Sequence, residues 1–169
     1  MSTVFPESWV LVKHNDYFEI VGGSQPPKSK FSNVEKPNYI RLYQIRDYGK
    51  HPDPVYIEEK YASKRTTNQD ILLARYGASL GKVFYANEGA YNVAMAKVVD
   101  IYPIKLMTSD FRYYYYLSND YQVIVKNNSR SAQGGFNKED LTDLIVPIPP
   151  LKEQQQIVKS LQSVFLLLK

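Results

Sequence analysis

The proline-rich segment IVPIPP at residues 145–150 divides the chain into two parts. Proline fixes φ and has no backbone N–H, so this segment cannot continue a helix and is predicted to be an edge strand or an extended connector. Residues 151–169 contain neither Gly nor Pro, and Pro150 suits the first position of a helix. A helix over residues 151–169 would be about 28 Å long. We therefore predict a folded domain over residues 1–148 and a helical segment over residues 149–169.

The final helix carries apolar residues along one side. Ile157, Leu161, Val164 and Leu168 follow one another at steps of four, three and four residues. This spacing places side chains on one face and is typical of a helix that packs on another helix. We expect the second helix to come from another chain or from a longer parent of this sequence. The predicted helix-packing residues are Leu151, Ile157, Val158, Leu161, Val164, Phe165 and Leu168.

Strand patterns occupy the first two thirds of the chain. The stretch YIRLYQIR at 39–46 alternates as a strand does, and residues 71–76 form an apolar strand. Residues 83–85 and 91–99 are predicted to pair as a hairpin, because Asn87-Glu88-Gly89 between them suits a turn.

A helical pattern follows the predicted strands. Residues 110–126 form an uninterrupted run that predicts one helix with Ser109 as its N-cap, and the tyrosines at 113–116 are expected to pack in the core. Asn137 with Asp140 resembles a capping box. The whole pattern predicts an α+β fold, with a curved mixed β-sheet and a few helices, followed by one C-terminal helix of the coiled-coil type.

Composition excludes several classes of protein. The chain has no cysteine, which excludes disulfide scaffolds, zinc ribbons and thiol nucleophiles. The two histidines, His14 and His51, lie far apart, so no metal site is predicted. No apolar run reaches the length of a membrane span, and the N-terminus does not resemble a signal peptide. We therefore expect a cytoplasmic protein without a cofactor.

Two short patterns imitate catalytic motifs. Gly77-Ala78-Ser79-Leu80-Gly81 matches GxSxG, but a strand-like segment follows it and no histidine lies downstream of His51. Asp53 with Glu58, Glu59 and Lys60 resembles the acidic pair and lysine of metal-dependent nucleases, although the spacing is short. No catalytic residue is predicted, and a minimal nuclease remains a minor alternative.

The basic charge is concentrated in one sector. Residues 28–82 carry 11 basic and 6 acidic side chains, whereas the whole chain has a net charge of +4. Tyrosine, which suits recognition surfaces, occurs 15 times. A basic, aromatic-rich sector is expected of a nucleic-acid binder. The alternatives are a solvated basic surface without a partner and tyrosines that serve only to form strands.

The residues suited to DNA fall into two groups. Arginine, glutamine and asparagine side chains can form paired hydrogen bonds with base edges, and lysines suit phosphates. The candidate DNA-binding residues of these types are Lys28, Lys30, Arg41, Gln44, Arg46, Lys50, Arg75, Lys82 and Asn92.

Several segments together resemble the target recognition domain of the DNA specificity subunits of Type I restriction-modification systems. They are Pro6-Glu7-Ser8-Trp9, Gly22-Gly23-Ser24-Gln25-Pro26, YIRLYQIRDYG at 39–49, DILLARYG at 70–77 and IPPLKEQQQIV at 148–158. The Pro-Pro-Leu-x-Glu-Gln entry to the last helix is the most specific of these motifs.

The resemblance implies a non-catalytic role. Such subunits carry two recognition domains, each reading one half of a bipartite double-stranded DNA site. Two long helices set the spacing of the half-sites and dock the methyltransferase subunits, through which the restriction-translocase subunit joins. Carried onto this sequence, segments 41–50 and 75–82 are the best candidates for DNA contact, followed by 24–30 and 128–136. These segments add Tyr48, Tyr76, Ser79, Arg130 and Gln133 to the candidate DNA-binding residues. For residues 133–137 a structural role is an equal alternative. Residues 149–169 would begin the spacer or dimerisation helix.

This sequence departs from the family pattern because it holds one recognition domain and the start of one helix. Three interpretations stay open: a half-subunit that dimerises, the product of a naturally shortened gene, or a fragment of a longer protein. In the first case, a homodimer formed through this helix would read a symmetric, interrupted site. From a different class, the alternative function is a protein-interaction module that uses the helix and binds no DNA.

Overall fold

The computed structural model describes residues 5–128 and 135–167. Its strands are β1 (Val10–Lys13), β2 (Phe18–Gly22), β3 (Tyr39–Tyr43), β4 (Tyr56–Glu58), β5 (Arg65–Thr66), β6 (Ile71–Ala74), β7 (Val83–Tyr85), β8 (Gly89–Tyr91), β9 (Met95–Asp100) and β10 (Ile145–Ile148). Its helices are α1 (His14–Tyr17), α2 (Ser109–Leu117), α3 (Asn119–Asn128) and α4 (Leu151–Leu167). Short 3₁₀ turns lie at Lys28–Lys30, Ile45–Tyr48, Glu59–Tyr61, Gly77–Ser79 and Lys138–Leu141.

Within the described residues, the strands form two four-stranded sheets and one two-stranded ribbon. The first sheet has the order β2-β9-β6-β7 and is antiparallel throughout. The second has the order β4-β3-β8-β5, in which β3 and β8 run parallel. Strands β1 and β10 pair with each other, so the segment around Pro147 is a strand, as predicted. The predicted α+β class with mixed strand pairing is confirmed.

Strand β6 is buried on both faces, which explains why its sequence ILLA is apolar throughout. Ile71 and Leu73 face the main core, where α2, α3 and α4 cover the first sheet. Leu72 faces the opposite way and packs with Tyr91 and Met95. Because successive side chains of a strand point to opposite faces, the strand joins two apolar clusters.

The second sheet has a smaller core of its own. Leu42, Val55, Ile57, Ala62 and Ala90 are buried together between its strands and the loops that flank them. Most of the basic sector of the sequence is attached to this smaller unit, whose limited core leaves many side chains at the surface.

The long helix predicted over residues 110–126 is in fact two helices. It breaks at Ser118, which has an extended ψ of 157° and whose carbonyl accepts a hydrogen bond from Gln122 N–H. The sequence Ser-Asn-Asp at 118–120 favours a helix start because these short polar side chains compete for backbone hydrogen bonds. The N-cap of α2 is Thr108 rather than Ser109, since the Thr108 side chain accepts from Phe111 N–H at 3.2 Å.

The tyrosines of α2 divide between the core and its edge. Tyr115 and Tyr116 are buried, as predicted. Tyr113 and Tyr114 are half-buried; Tyr113 stacks on Tyr85 with 4.3 Å between ring centroids.

Two strand predictions were wrong. The strand at 39–46 ends at Tyr43, because Gln44 and Asp47 form a capping box that starts a 3₁₀ turn. The hairpin predicted between residues 83–85 and 91–99 does not form. Instead, β7 pairs with β6, β8 crosses to the second sheet beside β3, and β9 returns to the first. Pairing between distant strands decided this outcome, and local turn propensity did not.

Candidate nucleic-acid interface

The loops predicted to contact DNA meet at one edge of the first sheet. Gly22, the last residue of β2, lies opposite Ala96 near the start of β9. Ala74, the last residue of β6, lies opposite Met95. The loops after β2 and β6 and the turn before β9 therefore leave the sheet side by side.

The turn at residues 92–94 joins these loops to the second sheet. Asn92 N–H donates to the carbonyl of Tyr43 at 3.0 Å, which fixes the end of β3. Ser24 N–H donates to the Tyr91 carbonyl at 3.1 Å, and Arg75 N–H donates to the Ala94 carbonyl at 2.9 Å. Segments 41–50 and 75–82 are thus bonded to this short turn, and segment 24–30 is bonded to Tyr91 directly before it, although more than 30 residues separate the first segment from the last.

A glycine allows this close approach of backbones. A Cβ atom at Gly23 would lie 2.1 Å from the Asn92 carbonyl oxygen and 2.5 Å from that of Tyr91. Backbone atoms cannot yield at such distances, so only glycine fits here. Gly23 is therefore a packing requirement of this junction.

The Asn92 side chain lies inside the turn. Asn92 is 7% exposed, its Oδ1 accepts from Ala94 N–H at 3.2 Å, and its Nδ2 lies 3.5 Å from Gln25 Oε1. This burial argues against the predicted base contact and gives Asn92 a positioning role.

The turn after β3 is built on a buried carboxylate. Asp47 accepts from the Arg41 guanidinium at 2.9 Å, from Gln44 N–H at 2.8 Å and from Asp53 N–H at 3.2 Å. Tyr48 stacks on Phe84 with 4.6 Å between ring centroids, and burial raises the pKa of Tyr48 to about 12.

These contacts divide the predicted DNA-binding residues of the turn. Arg41, Gln44 and Tyr48 hold its shape, whereas Arg46 and Lys50 are exposed on its surface.

Ion pairing separates the arginines into two kinds. In the described ranges 5–128 and 135–167, Arg75 has no carboxylate within 4.0 Å, while each of the other arginines has one. Those pairs are Arg41 with Asp47, Arg46 with Asp53, Arg65 with Glu59, and Arg112 with Asp100. Among the described arginines, the one at the meeting point of the loops is therefore the one without a carboxylate partner.

The remaining DNA-binding candidates lie mainly at the surface. Lys28 and Lys30 are exposed on a 3₁₀ turn, and Lys82 is exposed before β7. Tyr76 is 41% exposed, and Ser79 is half-buried in the turn that follows it. Arg130 and Gln133 lie outside the described residues.

The residues of the alternative nuclease site do not converge. Asp53 pairs with Arg46 at 3.0 Å, Glu58 with Lys60 at 2.5 Å, and Glu59 with Arg65 at 3.4 Å. No group of three or more His, Asp or Glu residues is placed to hold a metal ion within the part of the chain that the structure describes.

The first turns of α4 are part of the domain, which the sequence pattern did not indicate. Gln154 is fully buried; its Oε1 accepts from Thr108 N–H at 2.9 Å, and its Nε2 donates to the carbonyls of Leu106 at 2.8 Å and Pro149 at 2.9 Å. Pro150 stands one residue before the helix, not at its first position, and its carbonyl accepts from Gln154 N–H at 3.0 Å. The Pro-Pro-Leu-x-Glu-Gln motif is the local signal for this junction.

The predicted helix-packing residues differ in burial along α4. Val158 is buried in the main core, and Ile157 packs against it. Leu161 is half-buried, and Leu151 is exposed. Farther along, Val164 is 52% exposed, and Phe165 stacks on Tyr114 with 5.8 Å between ring centroids.

The end of the helix presents an apolar surface. Leu166 is exposed, and Leu167 is 86% exposed. Leu168 lies outside the described residues. In the described residues, none of the helices is long and apolar enough to cross a membrane.

The fold and the site define a small α+β domain whose loops gather at one sheet edge and which carries a C-terminal helix. The family described as the Type I restriction modification DNA specificity domain matches residues 6–169. The chain belongs to this family, as its motifs had indicated.

Two curated relatives have names that agree with this family. The chain is 29% identical over 163 residues to the MjaX specificity subunit of a type I restriction enzyme from Methanocaldococcus jannaschii, covering 94% of this chain and 37% of that protein. It is 25% identical over 173 residues to the EcoDI specificity subunit from Escherichia coli, covering 95% of this chain and 35% of that protein. The chain thus spans little more than a third of the length of these relatives.

Solved structures share the fold. A chain from a study of complex assembly and conformational transition in the type I R-M system aligns with a TM-score of 0.75 at 24% identity, over 96% of this chain and 40% of that one. The HsdS subunit from Thermoanaerobacter tengcongensis aligns with a TM-score of 0.72 at 23% identity, over 96% of this chain and 39% of that one.

Proposed function

We propose that this chain binds double-stranded DNA sequence-specifically and reads one half of the bipartite target of a Type I restriction-modification complex. One observation carries the proposal: segments 41–50 and 75–82 are bonded to the turn at 92–94, and segment 24–30 is bonded to Tyr91 directly before that turn. Loops gathered at one sheet edge offer a continuous surface that can follow a groove, and family membership supports this role.

Two kinds of contact with DNA would form one after the other. The exposed lysines Lys28, Lys30, Lys50 and Lys82 would dock the phosphate backbone, and side chains on the converging loops would then reach the base edges. Phosphate docking releases counterions, so affinity should fall steeply as salt rises.

The chain would perform no chemistry itself. Partner subunits would supply methyl transfer and cleavage, with the methyltransferase subunit docking along α4 and the restriction-translocase subunit joining indirectly. We propose residues 149–169 as the start of this spacer helix, in a complex that acts on cytoplasmic DNA. Homodimerisation through α4 is a further arrangement compatible with the proposal.

A second candidate function is a helix-mediated interaction module without DNA binding. The exposed apolar side chains Val164, Leu166 and Leu167 favour a partner at this end of α4. A docking helix is needed by both candidate functions, so DNA binding is the property that separates them.

Selection of bound duplexes from a randomised library, with the full chain as bait, tests the proposal. An enriched half-site, together with affinity that falls with salt, would support it. If no sequence is enriched, even with the cognate methyltransferase subunit present, the DNA-reading function is wrong and the interaction module is favoured.

A further inference from the structure

Arg75 is the uncompensated arginine of the described residues, and it begins the loop after β6. A guanidinium without a carboxylate partner keeps its N–H donors for a ligand. The guanidinium groups of Arg41 and Arg46, by contrast, are paired with Asp47 and Asp53. Placed beside the turn at 92–94, Arg75 lies where the proposed DNA-reading loops meet.

The guanidinium is held by its surroundings. Its Cζ lies 5.0 Å from the centroid of the Tyr76 ring, which places the cation over an aromatic face. Its Nη2 lies 3.5 Å from Asn137 Oδ1, a long contact that orients the fork from the other side. Asn137 is itself fixed, since its N–H donates to Asp140 Oδ2 at 2.8 Å.

Gly22 leaves room for the guanidinium group of Arg75. A Cβ at Gly22 would lie 2.7 Å from Arg75 Nη1, so any larger residue would push the terminal nitrogens aside. The atom in question is the far end of a flexible side chain, so such a substitution would move the fork without breaking the backbone. Gly22 therefore controls where the guanidinium points.

The nitrogens of Arg75 are not equally available. Its Nε is buried and has no hydrogen-bond partner in the described part of the chain. The two terminal nitrogens are the donors that can reach outward. Two parallel N–H donors match the O6 and N7 acceptors on the major-groove edge of guanine, and this is the commonest specific contact between a side chain and a base.

We propose that Arg75 is a specificity-determining residue that reads a guanine in the half-site, with Gly22 and Asn137 as its positioning residues. This inference rests on the proposed DNA-reading function. A guanine fits better than a phosphate because the fork is partly buried, stacked and fixed at the centre of the loops. Flexible, exposed lysines such as Lys50 and Lys82 are suited to contact phosphates instead.

The test compares selected half-sites for the unmodified full chain and for Arg75→Lys. Lysine keeps the charge but replaces the planar, fixed fork with one flexible ammonium group, so one guanine position should lose about tenfold to a hundredfold discrimination while the preferences at the other positions persist. Replacing that guanine by 7-deazaguanine, which lacks N7, should weaken binding of the unmodified chain more than binding of Arg75→Lys. Lys82→Ala is the control for a phosphate contact and should weaken binding to all sequences alike.

Gly22→Ala tests the positioning role separately. We expect relaxed selectivity at the same guanine, with thermal unfolding close to that of the unmodified chain. Unchanged selectivity in Gly22→Ala would remove Gly22 from the proposal.

The results separate the two proposals. If the unmodified chain enriches no sequence, the proposed function fails. If it enriches a half-site and Arg75→Lys enriches the same half-site with the same discrimination, the function stands and Arg75 is not the reader. A uniform loss of affinity in Arg75→Lys, with unchanged preferences, would make Arg75 a phosphate contact and would also overturn the inference.

Discussion

The indole Nε1 of Trp9 donates a hydrogen bond to Oε1 of Glu153 at 2.9 Å, joining residues that are 144 positions apart. Trp9 ends the opening Pro-Glu-Ser-Trp motif, and Glu153 belongs to the motif at the start of α4. The adjacent pairing of β1 with β10 closes the same junction. These two motifs lie far apart in the sequence but meet at one junction, and together they fix α4 to the domain.

Gln154 at this junction should be essential for stability. Gln154→Ala would leave the Thr108 N–H and two buried carbonyls without partners, so we expect the free energy of unfolding to fall by about 2–4 kcal/mol. Gln155→Ala and Gln156→Ala, at exposed neighbouring positions, should change it by less than about 0.5 kcal/mol. Urea denaturation measures all three. Equal, small effects would show that the buried amide does not hold the helix.

His14 should make the fold sensitive to acid. It is fully buried, its Nε2 lies 2.8 Å from the Tyr116 hydroxyl, and burial lowers its pKa from 6.5 to about 4. The unfolded chain therefore takes up the proton first. Stability from this group is complete above pH 6.5 and is lost as pH falls from 6.5 to about 4, by roughly 3 kcal/mol.

The His14 prediction is checked by denaturation at a series of pH values. His14→Gln should be less stable near neutral pH and should show a shallower loss of stability between pH 6.5 and 4. His51→Gln, at an exposed position, is the matched control. Parallel pH profiles for His14→Gln and the unmodified chain would contradict the account.

Asn92 should act through the shape of the interface. Asn92→Ala removes the bond to Ala94 N–H, so we expect a loss of about 1–2 kcal/mol in stability together with weaker DNA binding. Arg46→Ala breaks an exposed ion pair and should weaken binding with a change in stability of less than about 0.5 kcal/mol. Combined unfolding and binding measurements separate the roles. Full stability with lost binding in Asn92→Ala would make Asn92 a direct contact.

The apolar end of α4 should matter for assembly alone. Leu167→Glu changes a side chain that is largely exposed, so unfolding should shift by less than about 0.5 kcal/mol, while association with the methyltransferase subunit should weaken. Sedimentation velocity of the mixture measures this association. Ser160→Glu, at an exposed position two turns earlier, adds the same single negative charge and is the control. Unchanged association of Leu167→Glu would exclude this end of the helix from the contact.

Local signals predicted the parts of the fold that depend on neighbouring residues. The apolar run of β6, the capping box at Asn137 and the final helix all appear where the sequence places them. The expected hairpin after β7 failed because the pairing of β8 with β3 is decided by distant segments. The break at Ser118 followed from a capping signal inside an apolar pattern.

The site shows the same division between local and distant information. Segments 41–50 and 75–82 could be selected from their charge and glycine content, but their attachment to the turn at 92–94 could not. Which of the described arginines lacks a carboxylate partner is also a property of the assembled fold. Arg41 and Arg75 look alike in the sequence, yet the buried Asp47 pairs with Arg41.

Affinity for a selected half-site, compared with a scrambled duplex of the same length and base composition over a series of salt concentrations, tests the central claim most directly. The account predicts that both affinities fall with salt and that the selected duplex stays at least about tenfold tighter, since each mismatched pair costs about 1–3 kcal/mol. Equal affinity for the two duplexes at every salt concentration would contradict it.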